Sequence, residues 1–230
     1  MWNRASFIKF VNVSLFLMLA VPGYGQKSEK PQALASSVIW KINSLKKIGR
    51  NVVVVIGDPA VVNTSGGKAV LFDGADDGLL VNSNPIEGAS AFTVEAVFRP
   101  DPGGGKEQRW LHIQETSGDG RLLLETRLDG DRWFLDTFIK SGDSNRTLYA
   151  EDFKHPLGHW YHVALVFDGT EMRHYVDGQL ELSGPLAVRP FKTGGVSIGV
   201  RMNRVHWFKG AVRRARFTPR ALAPKQFMKK

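Results

Sequence analysis

The 230-residue chain contains no cysteine. This absence excludes disulfides, thiolate metal sites, a cysteine nucleophile and lipidation at a signal-peptide cysteine. Without disulfides, the folded part of the chain must be held together by its own hydrophobic core. The sequence also lacks any amphipathic stretch of eleven or more residues with a helical period and capping residues. That second absence argues against long helices.

The sequence has no apolar run long enough to span a bilayer comfortably. The longest, at residues 11–21, follows two basic residues, contains Asn12 and Ser14, and precedes proline and small residues. A membrane-spanning helix needs about 20 apolar residues. We therefore predict a cleaved secretory signal peptide over 1–25, a linker over 26–37 and a folded domain over 38–230. The predicted protein is secreted or periplasmic and has no stable membrane span, with an uncleaved anchor as the alternative.

Acidic residues are missing from the C-terminal end. Residues 201–230 carry ten Lys or Arg and no Asp or Glu, whereas residues 26–200 carry nineteen bases and twenty-two acids. A basic end favours anionic partners such as acidic polysaccharides or phosphate-bearing envelope polymers. Predicted export and the lack of a nucleic-acid-binding motif argue against nucleic acid. A solvated basic face with no specific partner is the alternative.

Short runs rich in Val, Ile, Phe and Trp, separated by Gly, Asp, Asn or Pro, predict β-strands joined by turns. In residues 160–167 both alternating faces are largely apolar, which predicts a strand buried on both sides. Asp-Gly pairs at 168–169 and 177–178 predict tight hairpin turns on either side of the next strand. The sequence therefore predicts an all-β, antiparallel two-sheet sandwich. Its predicted strands are 39–42, 52–56, 69–72, 79–81, 92–99, 110–114, 122–127, 133–139, 160–167, 173–176, 196–199 and 210–217.

Several ordered motifs resemble laminin-G-like, or concanavalin A-like lectin/glucanase, jelly-roll domains. GHWYHVALVFDGTEMRHYVDGQ (158–179), GGVSIG (194–199) and FKGAVRRARFTPRAL (208–222) resemble the C-terminal half, and AVLFDGADDGLLV (69–81) and FTVEAVFRP (92–100) resemble the opening strands. The resemblance spans roughly residues 66–222 and implies a jelly roll. It implies less about function, because this fold carries lectins, adhesion domains and polysaccharide-cleaving enzymes. Arg213-Arg214 departs from the acidic or polar residues usual there, which weakens any inherited cation site near the last strand.

Polar and aromatic residues alternate along three central predicted strands. Strict alternation places Trp110 and His112 on one face and Leu111 in the core. Neighbouring strands of this kind would form a surface of aromatic rings and polar groups suited to a sugar chain. A simple wet face of an antiparallel sheet is the alternative. The predicted ligand-binding residues are Trp110, His112, Gln114, Glu125, Arg127, Asp136, Arg201 and Asn203.

These patterns predict a secreted, lectin-like carbohydrate-binding module for an extracellular or envelope glycan, with an acidic glycan as one candidate. One alternative is a lyase acting on a uronate polymer, with His112, Gln114, Arg127 and Tyr175 moving protons and neutralising the carboxylate. Another is a glycoside hydrolase using Glu125 and Asp136 across two strands. A third is a protein-interaction or assembly subunit, which would expose an apolar patch.

The stretch FDGADDG places three carboxylates in one turn. Asp73, Asp76 and Asp77 are candidate ligands for Ca²⁺, which prefers oxygen donors. The alternative is that Asp and Gly are there for turn geometry alone. No other cofactor is predicted. Trp160 and His162 are predicted to be core residues, with His162 bonded to a backbone carbonyl.

Overall fold

The computed structural model describes residues 1–2 and 36–230, so the predicted signal peptide and most of the predicted linker lie outside the described residues. Within residues 36–230 no helix is long and apolar enough to cross a membrane. A single 3₁₀ turn spans Pro224–Gln226. The strands are β1 Val38–Lys41, β2 Lys47–Ile48, β3 Asn51–Ile56, β4 Ala60–Thr64, β5 Gly67–Asp73, β6 Gly78–Val81, β7 Phe92–Pro100, β8 Glu107–Glu115, β9 Arg121–Asp129, β10 Arg132–Ser141, β11 Ser144–Tyr149, β12 His155–Pro156, β13 Tyr161–Phe167, β14 Glu171–Val176, β15 Gln179–Pro185, β16 Gly194–Ile198 and β17 Lys209–Thr218.

The strands form two antiparallel sheets. The eight-stranded sheet has the order β15-β14-β13-β7-β17-β5-β4, and β1 also pairs with β17. The nine-stranded sheet has the order β11-β10-β9-β8-β16-β6-β3-β2, and β12 also pairs with β10. Many strand neighbours are distant in sequence, as in a jelly roll. The predicted all-β two-sheet sandwich is therefore confirmed.

The main core lies between the sheets and is rich in aromatic rings. Phe98 of β7 stacks on Trp110 of β8 with ring centroids 4.2 Å apart, and it meets Trp133 of β10 edge-on at 5.1 Å. All three side chains are fully buried. Aromatic rings bury about 150–250 Å² each, so these contacts between strands of opposite sheets contribute strongly to holding the sandwich together.

The predicted central hairpin is present. In β13, Val163 and Leu165 belong to the main core, whereas Ala164 and Val166 face the opposite side and pack with Tyr175 and the C-terminal Phe227. Both faces of β13 are therefore buried, as predicted. Asp177 and Gly178 have φ values of 49° and 82°, which Asp-Gly turns tolerate.

The C-terminal segment folds back over the outer face of the eight-stranded sheet. Glu95 of β7 is fully buried there; its carboxylate accepts a hydrogen bond from the Met228 backbone N–H at 2.7 Å and is ion-paired with Arg216. His162 Nε2 lies 3.0 Å from the same carboxylate, so His162 is buried as predicted but bonds Glu95, not a backbone carbonyl. Part of the basic segment 201–230 therefore makes contacts within the fold and is not a free surface.

Candidate functional site

A β-bulge changes which side chains of β8 reach the outer face of the nine-stranded sheet. Arg109 is opposite Glu125 of β9, but the next paired residue is Leu111, opposite Leu124. Trp110 is the extra residue and lies in the core against Phe98. The predicted placement of Trp110 on the ligand surface is therefore wrong, and Arg109 takes that place.

The loop between β16 and β17 covers the middle of this outer face. The Met202 backbone N–H donates to His112 Nδ1 at 3.0 Å, and the Arg109 N–H donates to the His206 carbonyl at 2.9 Å. His112 is fully buried, not exposed as predicted. Burial, and then the positive charges of Arg201, Arg121 and Arg109, lower the pKa of His112 to about 3. The imidazole is therefore neutral and shielded from ligands.

A charged hollow of about 230 Å³ lies beside this loop. It brings together four of the predicted ligand residues on adjacent strands and the covering loop, while the exposed Asn203 lies outside it. We call it the charged groove; its lining is Arg109, Arg121, Leu123, Glu125, Arg127, Asp136, Phe138, Thr147 and Arg201. Four arginines face two carboxylates, so the groove favours an anionic ligand.

The two carboxylates are directly opposite each other on β9 and β10 and are buried. Arg127 Nε donates to Asp136 Oδ2 at 2.8 Å, and Arg109 Nε lies 2.7 Å from Glu125 Oε2. Glu107, at the rim, is ion-paired with both arginines. Buried charges need such partners, so Arg109 and Arg127 are largely occupied in holding the carboxylates.

The environment shifts the carboxyl pKa values upward. Burial, and next the charge of Asp136, raises the pKa of Glu125 to about 7, although Arg109 and Arg127 oppose this. Burial also raises the pKa of Asp136, against the opposing effect of Arg127. Near neutral pH the Glu125 carboxyl is thus partly protonated. This loss of negative charge makes the groove more electropositive.

Two arginines of the groove have no carboxylate partner within residues 36–230. Arg121 lies with its guanidinium carbon 5.2 Å from the centre of the Phe138 ring. Arg201 is partly buried, and burial together with the charges of Arg109 and Arg121 lowers its pKa. Both guanidinium groups line the groove. They are the groups best placed to bind an external anion.

An apolar hollow of about 500 Å³ adjoins the charged groove on the same face. Val52, Val54, Leu80 and Met202 line it, together with Gln114. Gln114 is opposite Arg121 across β8 and β9, so the two hollows are neighbours. Val52 and Val54 are 70% and 59% exposed, an unusual degree for paired strand residues of this type.

The four residues of the predicted lyase set do not converge. Tyr175 lies on the outer face of the eight-stranded sheet, where its ring meets that of Phe227 edge-on at 5.2 Å. The two sheets and the core between them separate it from Arg127, and the sheets of such a sandwich are about 10 Å apart. With His112 also buried, the prediction that these residues form one catalytic site is wrong.

The three aspartates of the FDGADDG stretch are close together. Ligand oxygens of Asp73, Asp76 and Asp77 lie within 4.8 Å of one another. Asp77 accepts hydrogen bonds from the backbone N–H groups of Asp58 and Asp73, and Asp73 accepts from those of Ala75 and Asp76. These hydrogen bonds stabilise the turn, which accounts for the presence of Asp73 and Asp77 without a metal ion. Calcium binding stays a prediction.

Comparison with known proteins agrees with this architecture. The family described as the concanavalin A-like lectin/glucanases superfamily (Laminin_G_3) matches residues 73–227. No significant match is found among curated protein sequences.

Among solved structures, domain 4 of AbnA, an extracellular GH43 arabinanase from Geobacillus stearothermophilus in complex with arabinotriose, has a TM-score of 0.59 and 19% identity, over 84% of this chain and 86% of that one. The binding domain of Paraclostridial Mosquitocidal Protein 1 has a TM-score of 0.63 and 13% identity, over 83% of this chain but only 50% of that one. A heptameric SAP-like pentraxin from Limulus polyphemus has a TM-score of 0.54 and 16% identity, over 69% and 78%. At these identities the likeness concerns the fold. Because the family match extends over most of the chain, the protein belongs to the concanavalin A-like lectin/glucanases superfamily.

Proposed function

We propose that the protein is a carbohydrate-binding module that recognises an anionic glycan through the charged groove. The observation that carries the proposal is the pair of guanidinium groups of Arg121 and Arg201, which line the groove without a carboxylate partner in residues 36–230. A guanidinium group binds a carboxylate or sulfate in bidentate fashion. An acidic sugar would supply the missing partner.

The groove also offers surfaces for the sugar ring. Phe138 lines it, and Tyr149 lies next to it with its ring 5.6 Å from the Arg127 guanidinium carbon. Aromatic side chains with a polar neighbour are suited to the mixed faces of a sugar. The adjoining apolar hollow, reached through Gln114, would hold further residues of a chain. The ligand we propose is therefore an oligomer or polymer.

The comparisons support a carbohydrate ligand. The AbnA domain, which this chain resembles over most of both lengths, was solved with arabinotriose. Export of the protein is part of the same proposal and rests on the sequence pattern of residues 1–25. The acidic character of the glycan rests on the arginines of the groove.

Glycan binding is tested by isothermal titration calorimetry of the protein against polygalacturonate, alginate and neutral arabinan. We expect the uronate polymers to bind and the Arg121→Ala/Arg201→Ala variant to lose at least about tenfold in affinity, because a hydrogen bond to a charged group contributes about 1.5–3 kcal/mol. The matched control is Lys225→Ala/Lys229→Ala, which removes the same charge from exposed positions of the C-terminal segment that covers the other sheet. Equal losses in both variants would contradict a specific groove.

Glycoside hydrolysis is a second candidate function, supported by the directly opposed pair Glu125 and Asp136 and by the raised pKa of Glu125. A hydrolase needs one protonated and one ionised carboxyl group. The ion pairs with Arg109 and Arg127 restrain both carboxylates. Release of reducing ends from any of the three polymers, abolished by Glu125→Gln, would establish this function; binding without release would leave the binding module.

A further inference from the structure

A second basic pocket lies at the eight-stranded sheet, in a gap that the strand topology creates. One edge of β17 pairs first with β5, through Lys209 to Val212, and then with β1, through Arg214 to Phe217. The change of partner coincides with a bulge at Arg213 in the pairing of β17 with β7. Bulges commonly re-aim a side chain. The gap between the end of β1 and the β4–β5 turn is a pocket of about 210 Å³.

Among the described residues, the lining of this pocket contains four cationic side chains and no acidic one. They are Lys41, Lys68, Arg213 and Arg214, accompanied by Asn43, Gly66 and Gly67. None of the four lies within salt-bridge distance of a carboxylate in residues 36–230, whereas the partly buried Arg109, Arg127 and Arg216 each do. Like charges repel, so four unneutralised cations around one pocket destabilise the empty site.

Arg213 is the cation best placed to bind a ligand in this pocket. Trp160 and Gly66 hold its guanidinium in position, and no hydrogen-bond acceptor occupies it within residues 36–230. The residue is only 9% exposed, and its guanidinium carbon lies 4.8 Å from the centre of the Trp160 ring. Its other side rests on the backbone of Gly66, where a Cβ would come within 1.5 Å of Nη1. Burial, and then the charge of Arg214, lowers the pKa of Arg213. An arginine buried to this degree normally has an acceptor for its guanidinium, and none is found for Arg213 within residues 36–230, where the group faces the pocket.

We propose that this pocket binds a tetrahedral oxyanion, a phosphate or sulfate group. Such an anion would give Arg213 the acceptors it lacks and would neutralise the two lysines at the rim. The pocket volume equals that of roughly seven water molecules in the liquid, which is room for the anion and the atoms that carry it. The site involves different strands from the charged groove, so it does not depend on the proposed glycan-binding function.

The pocket is tested by calorimetric titration of the protein with sodium phosphate, sodium sulfate, heparin and chemically desulfated heparin. Arg213→Ala removes the central cation, and we expect at least a tenfold loss of affinity. Gly66→Ala leaves the net charge unchanged but displaces the guanidinium, because the added methyl group occupies its position; we expect a loss of similar size. Gly66 is not in the left-handed region, so alanine fits its backbone conformation.

Two further variants keep the result decisive. Lys41→Ala/Lys68→Ala changes only exposed residues of the pocket lining, so it should fold even if Arg213→Ala does not. It should also weaken anion binding, because it removes two of the four cations. Arg50→Ala is the control, an exposed cation outside the pocket, and should change affinity less than twofold. Binding of the free ions supports a small-anion site, and binding of heparin that is lost on desulfation supports a polymer-borne sulfate. No binding of any probe, equal losses in Arg50→Ala and Arg213→Ala, or unchanged binding by Gly66→Ala would overturn the proposal.

Discussion

The stability of the Trp110→Ala variant shows whether Trp110 is a core residue, as in the structure, or a surface residue available to a ligand. The side chain is fully buried and stacked on Phe98, with Phe208 6.0 Å away between ring centroids. An aromatic side chain that buries about 150–250 Å² contributes about 4–6 kcal/mol at about 25 cal/mol per Å². Measured truncations of buried Phe and Trp cost about 3–5 kcal/mol. We therefore expect Trp110→Ala to lower the free energy of unfolding by about 3–5 kcal/mol.

Urea unfolding followed by circular dichroism measures this loss, and thermal unfolding should show the midpoint about 6–20 °C lower for a domain of this size. Trp110→Phe keeps an aromatic ring at the position and removes an indole N–H that has no hydrogen-bond partner within residues 36–230, so it leaves a smaller cavity and should cost clearly less than Trp110→Ala. Phe153→Ala, at an exposed position, is the control. A loss below about 1 kcal/mol for Trp110→Ala would refute the core placement and the bulge that causes it.

Three further predictions concern pH and the C-terminal segment. Burial lowers the pKa of both His112 and His174 to about 3, so the unfolded chain takes up protons below about pH 6.5 that the folded chain does not. At pH 5 each histidine should therefore lower the free energy of unfolding by about 2 kcal/mol relative to neutral pH. His174→Gln should make the loss of stability with falling pH less steep in denaturant titrations. The raised pKa of Glu125 has the opposite sign: stability should fall as the pH rises from about 4.5 to 7, on the order of 3 kcal/mol, and Glu125→Gln should remove this part of the pH dependence. Deleting residues 224–230 uncovers Tyr175 and should cost about 1–3 kcal/mol in the same assay, whereas an unchanged midpoint would contradict the packing of this segment.

The strands inside the sheets could be predicted from the sequence, whereas among the edge strands only β1 could. All twelve predicted strands overlap observed ones, and eleven of them are inner strands, which pack on the core and carry apolar runs. The five that were missed are β2, β4, β11, β12 and β15. Four of these end a sheet and the fifth is two residues long. An edge strand such as Ser144–Tyr149 has few apolar neighbours, so its sequence resembles a loop.

The side chains that line the charged groove were predicted in part, because period-two reasoning fails wherever a strand contains a bulge. Glu125, Arg127 and Asp136 were placed correctly on the outer face, since β9 and β10 pair without a register shift. In β8 the bulge turned Trp110 inward and brought Arg109 outward. The adjacent pair Trp110-Leu111 was the available signal, because two large apolar residues in succession can both face the same core only if alternation breaks.

The burial of His112 had no local signal at all. It depends on the loop after β16, whose residues Arg204 and His206 adopt positive φ values of 60° and 59° without being glycine. Positive φ at a non-glycine residue is uncommon and persists only when the surrounding contacts enforce it. The hydrogen bonds from Met202 to His112 and from Arg109 to His206 are such contacts. The same loop carries Arg201 into the charged groove, so the loop that buries His112 also supplies one of the two arginines there that have no carboxylate partner in residues 36–230.

Two β-bulges determine whether an arginine is ion-paired within the fold or lines a pocket. In β8 the bulge pairs Arg109 with Glu125, so that this arginine serves the fold; in β17 the bulge turns Arg213 toward Trp160 and a pocket without acids. Further along β17, Arg216 is ion-paired with the buried Glu95. The positive charge counted in residues 201–230 is therefore not one solvated face. Arg216 and Lys230 are ion-paired within the fold, and Arg201, Arg213 and Arg214 line the two pockets. The other five cations of this segment belong to neither group, and three of them are exposed. The pocket arginines are where an external anion would gain most from binding.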